Sequence, residues 1–105
     1  MPAVYSRRLT LNRRYLYVPV GSGDKVTVQL SCAGRMVREF QVELGQPGQV
    51  NWWAWYDLSP FAGEDLVFAV VDGEISAKAA AWLDQAITLG DSLPEMEGLY
   101  QERYR

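Results

Sequence analysis

Histidine is absent from this 105-residue sequence, and cysteine occurs once, as Cys32. The first absence removes the commonest general base and the commonest metal ligand. The second excludes an intrachain disulfide, which fits a reducing compartment as well as it fits a disulfide-free exported protein. Without histidine, neither Ser76 nor Cys32 can belong to a histidine-activated triad. No apolar run is long enough to span a membrane, and the opening MPAVYSRRLTLNRRY has no apolar signal core. An excess of positive charge is missing too. Ten Lys and Arg stand against thirteen Asp and Glu, a net charge of −3, so the chain gains nothing from phosphate-driven binding to nucleic acid. Internal repeats and low-complexity segments are also lacking.

What remains is an ordinary globular composition, 49% hydrophobic and 22% charged. A chain of this length makes one domain and buries roughly two-thirds of its unfolded surface, enough for a core without staples. Residues 25 to 32, KVTVQLSC, alternate strictly, with Val26, Val28, Leu30 and Cys32 on one face. A turn at AGR follows, with Gly34 available for positive φ. MVREFQVEL then places Met36, Phe40, Val42 and Leu44 inward, while Arg38 breaks that set and should reach an edge. The pair reads as an antiparallel hairpin. VNWWAWYDL and LVFAVV read as further strands, with SPFAGED as the turn between them. RRLTLN and YLYVPV add two short strands upstream, Pro19 marking an edge or a strand end, and GSGD reads as the loop after them. Six strands with frequent turns predict an all-β fold, an antiparallel, jelly-roll-like β-sandwich, with at most one short helix near the C-terminus. ISAKAAAWLDQAITLG is that helix by propensity, Ser76 capping it and Gly90 ending it, although the same residues could complete the sheet as a strand. Residues 1–90 would form the domain and 91–105 a connector.

The segment NWWAWYDLSP concentrates three tryptophans and a tyrosine in five positions. On a strand, Val50, Trp52, Ala54, Tyr56 and Leu58 share one face, an apolar set that predicts core. The other face carries Asn51, Trp53, Trp55 and Asp57. Two indoles framed by an amide and a carboxylate could stack a sugar and bind its hydroxyls, or could be covered by another domain. These four residues are the candidate contact residues. No metal site and no cofactor is expected. GSGDKV lacks the third glycine and the following helix of a phosphate loop, and reads as a turn. Arg7, Arg8, Arg13 and Arg14 form a basic patch that fits a solvated strand end or an acidic neighbour. Asp57, Glu64, Asp65, Asp72, Glu74 and Asp84 supply acids, but nothing in their spacing forces the facing pair that glycoside hydrolysis needs.

LTLNRRYLYVPV, MVREFQVEL, WAWYDLSPFAG and DQAITLGDSLPEMEGLYQERYR together resemble the N-terminal all-β domain, of unknown function, of bacterial family 32 glycoside hydrolases, the levanase, inulinase and invertase group. The resemblance covers nearly the whole chain. LYQERYR looks like the lead-in to the first catalytic blade in that family. The family's catalytic acids lie in Asn-Asp-Pro, Arg-Asp-Pro and Glu-Cys segments, none of which occurs here, so no catalytic residue carries over. A shorter likeness links YDLSPFAGEDLVFAV to jelly-roll sugar-binding domains. The family resemblance implies a non-catalytic accessory domain that packs on and orients the catalytic domain of the same polypeptide, in a fructan-hydrolysing enzyme that is periplasmic or extracellular at full length. The alternatives are a fructan-binding module acting through Trp53 and Trp55, or an oligomerisation surface using the same patch.

Overall fold

The computed structural model describes residues 4–91. Its elements are β1 (Tyr5–Thr10), β2 (Tyr15–Cys32), β3 (Arg35–Leu44), β4 (Trp52–Asp57), β5 (Asp65–Asp72), α1 (Ala77–Ala86) and β6 (Thr88–Gly90), with a 3-10 turn at Ser59–Phe61. The chain is therefore all-β apart from one short helix, as its alternating patterns predict. Of the expected connector, only Asp91 lies within the described residues.

One strand organises the rest. The first part of β2 pairs with β4 over residues 15–20 and with β6 over 15–17. Its second part pairs with β3 and with β5, and β1 lies antiparallel along β5. The Pro19 carbonyl accepts from the Gly45 N–H at 3.0 Å, and the Val20 carbonyl accepts from the Asn51 N–H at 2.8 Å. Successive carbonyls of a strand point to opposite edges, so the end of β3 and the start of β4 lie on opposite sides of β2. Phe40 of β3 and Tyr56 of β4 nevertheless stack at 4.8 Å, 21° from parallel. A single six-stranded sheet thus curls on itself into a half-barrel, bringing two layers of side chains together.

The interior between those layers is apolar. Leu16, Val18, Val28, Leu30, Leu66, Phe68 and Val70 are fully buried. Helix α1 adds Leu83 and, just past its end, Ile87. Ser76 caps the helix as predicted, its hydroxyl accepting from the Ala79 N–H at 3.1 Å. At the other end the Arg7 guanidinium donates to the carbonyls of Leu83, at 3.3 Å, and Ile87, at 2.5 Å. The Leu83 carbonyl also accepts from the Ile87 N–H at 3.1 Å, the Ile87 carbonyl lies past that last helical bond, and a cation at this end suits the helix dipole. The Tyr5 hydroxyl donates to Asp84 at 2.7 Å, tying β1 to the same helix.

Several expectations need correction. GSGD is not a loop between two strands. Residues 21–24 continue β2 through an irregularity in register between Val20 and Lys25. The bend is compact because Gly21 packs on other backbone, where a Cβ would stand 2.6 Å from the Gln49 carbonyl oxygen. Pro19 marks neither an edge nor a strand end but sits inside β2, opposite Trp53. Its carbonyl points to the edge where β6 has already stopped at Tyr17, so its missing N–H falls in a gap between β6 and the end of β3. Met36 is 56% exposed rather than inward. A second register shift, between Leu30 and Ser31, skips Val37 and moves Met36 to the outer face. Arg38 keeps its place on the inner side and reaches outward, its guanidinium 5.4 Å from the Tyr56 ring. Phe40, Val42, Trp52 and Tyr56 are half-buried, packed against the core at the open side of the half-barrel instead of within it. The helix ends at Ala86 rather than at Gly90, because Ile87 turns extended and residues 88–90 join β2 as β6.

Candidate functional site

The register of β2 against β4 builds the outer aromatic face. Tyr17 lies opposite Trp55, Pro19 opposite Trp53, and Tyr15 opposite Asp57. These residues stand on the side away from Leu16 and Val18, which belong to the core. Tyr15 meets Trp55 edge to face, with centroids 5.5 Å apart and planes at 79°, a favoured arrangement for aromatic pairs. Tyr17 lies over β6. A side chain at Gly90 would put its Cβ 2.5 Å from the Tyr17 ring, so glycine there lets the ring settle on the strand. Trp53 and Trp55 are half-buried, as is Trp52 on the opposite face, and exposure alone does not set the two faces apart.

The polar rim is paired within the chain. Asp57 accepts from Arg14 at 3.0 Å and from the Ser59 N–H at 3.0 Å. These donors, with Arg14 the larger cause, hold its carboxyl at about 2. The Arg14 guanidinium also lies 5.1 Å from the Tyr15 ring. Asp91 accepts from Arg13 at 2.8 Å and from the Arg14 N–H at 3.1 Å, which lowers its own carboxyl in the same way. The basic patch read from the sequence is thus divided. Arg13 and Arg14 face acids of this same chain, and Arg7 faces a helix end.

Of the four candidate contact residues, Trp53, Trp55 and Asp57 come together on this face. Asn51 does not join them. It sits at the bend of β2, where its amide donates to the Ser22 hydroxyl at 3.1 Å. Tyr15 and Tyr17 belong to the face and were missed in reading the sequence. Their signal is the alternation of YLYVPV, which puts both tyrosines opposite Leu16 and Val18, but no local pattern says that β4 is the neighbouring strand.

Cys32 and Tyr5 are sheltered by the core. Burial, then the Glu64 charge, pushes the Cys32 thiol up from its ordinary value, away from the thiolate that nucleophilic chemistry needs. Burial and the Asp84 contact push the Tyr5 phenol up likewise. Among the described residues, no group of three or more Cys, Asp or Glu is placed to hold a metal ion, and no helix is long and apolar enough to cross a membrane. Comparison with protein families, with curated proteins and with solved structures finds no match to this chain.

Proposed function

We propose that this chain is a non-catalytic accessory domain that docks on a neighbouring catalytic domain through its outer aromatic face. The observation that carries the reading is the clustering of the half-buried Tyr17, Trp53 and Trp55 around the buried Tyr15, from two paired strands, on the side of the sheet away from Leu16 and Val18. Aromatic residues at the centre of a patch and a charged rim are what domain interfaces use. Arg14–Asp57 and Arg13–Asp91 supply that rim. The context that the sequence resemblance implies is a fructan-hydrolysing enzyme of family 32, exported to the periplasm or outside the cell, whose catalytic acids are not in this chain.

The test uses the natural open reading frame that contains this chain. The protein it encodes should hydrolyse levan, inulin or sucrose, while the 105-residue chain alone releases no sugar from any of them. Backbone amides of residues 53 and 55 should exchange more slowly in the larger protein than in the isolated chain. A reading frame without a hydrolase, or hydrolysis by the isolated chain, overturns the proposal. Equal exchange in both proteins removes the aromatic face from the interface.

A further inference from the structure

A second surface, lined by residues other than the outer aromatic ones, lies at the bend of β2. The bend of β2, the end of β3 and the start of β4 border a shallow, open groove of about 430 Å³, a volume within the range of small-molecule sites. Trp52 and Val42 supply its apolar wall, and Lys25, Gln41, Glu43 and Asn51 its polar one. Trp52 reads as core in the sequence, yet it is half-buried and contributes to this opening.

The chemistry of the lining narrows the ligand. Lys25 and Glu43 lie opposite each other in the β2–β3 register, so the groove carries no net charge and favours neither anion nor cation. Its polar groups mix an ammonium, a carboxylate and two amides, so both donors and acceptors line one opening. Neighbouring hydroxyls on a ring, each both donor and acceptor, match that mixture, and the apolar face of such a ring matches an indole. One side of the groove is also fixed in advance. Asn51 is anchored twice, its N–H to the Val20 carbonyl at 2.8 Å and its amide to Ser22 at 3.1 Å. Gly21 behind it is wedged against the backbone of Gly45 and Gln49. A preformed wall binds without first being ordered.

We propose that this groove is a subsite for one ring of a neutral saccharide, which Trp52 contacts through its indole and which Gln41, Glu43, Lys25 and Asn51 hold through its hydroxyls. The inference does not depend on docking through the aromatic face, and the two can fail separately.

The test is a titration of the isotope-labelled 105-residue chain with 1-kestose, maltotriose, cellotriose and mannotriose, followed by ¹H–¹⁵N correlation spectra. At least one trisaccharide should shift the Trp52 indole signal and the Asn51 and Gln41 amide signals saturably, with a dissociation constant in the millimolar range expected of a single-ring site. The Trp53 and Trp55 indoles should stay in place. Gln41 and Glu43 are exposed, so Gln41→Ala and Glu43→Gln should leave the spectrum otherwise native and weaken binding about tenfold each, as the loss of a hydrogen bond to a bound ligand does. Three results overturn the proposal: no saturable shift with any of the four sugars at tens of millimolar, shifts centred on Trp53 and Trp55, or unchanged affinity in both variants.

Discussion

Asp57 shows how a side chain can look like a ligand-binding group in sequence and be committed elsewhere in the fold. Beside two tryptophans it reads as a partner for sugar hydroxyls, yet Arg14 and the Ser59 N–H already occupy its oxygens. The contact with Arg14 spans 43 positions, beyond the reach of any local pattern, whereas the turn to Ser59 is only two residues away and typical of aspartate. The pairing carries a pH signature. Folding lowers this carboxyl from 3.8 to about 2, so it favours the folded state fully above about pH 4, and that contribution is lost as pH falls through about 2. The pair is solvent-accessible and screened by salt, so the effect is small. Asp57→Asn should flatten part of the stability loss between pH 4 and pH 2, read from urea midpoints, and the flattening should shrink in high salt. Parallel acid profiles for wild type and variant would disconnect the pair from folding. Trp52 is the converse case. Its face was legible from alternation, but how far the half-barrel stays open above it depends on the curvature of the whole sheet.

At the scale of elements, the β2–β3 hairpin was the most legible part of the chain. Its turn holds Ala33 at φ 53° and Gly34 at φ 78° between the paired Cys32 and Arg35. Two positive φ values in a two-residue loop describe a type I′ turn, which glycine accepts freely and alanine does not. The left-handed conformation costs an alanine about 1–2 kcal/mol. Ala33→Asn should therefore stabilise the domain by about 0.5–1 kcal/mol, seen as a higher urea midpoint with unchanged slope. A lower midpoint would mean that the turn takes another form in solution. Less legible were the places where one residue changes the count. Skipping Val37 sends Met36 outward, and no composition rule marks that bulge. Gly21, Ser22 and Gly23 have the composition of a loop. They stay extended because Gly21 packs on backbone that arrives more than twenty residues later in the chain, a tertiary constraint overriding a local preference.

For the molecule as a whole, the shared strand removes the independence that two stacked sheets would have. Four strands pair directly with β2, and β1 joins through β5. Protection against hydrogen exchange should consequently rise and fall together for residues 16–20 and 26–30, both merging into one global unfolding isotherm as denaturant is added. Separate isotherms for the two stretches would show that the bend at 21–24 divides the protein into two units. The same connectivity governs how the protein is born. β2 is synthesised before all four of the strands that pair with it, and the last of them, β6, ends at Gly90. Until those residues are added, β2 is a long strand with an edge still bare. The order of synthesis thus leaves the central strand waiting for its partners, and a chain cut short before Gly90 would lack part of the pairing that closes the sheet.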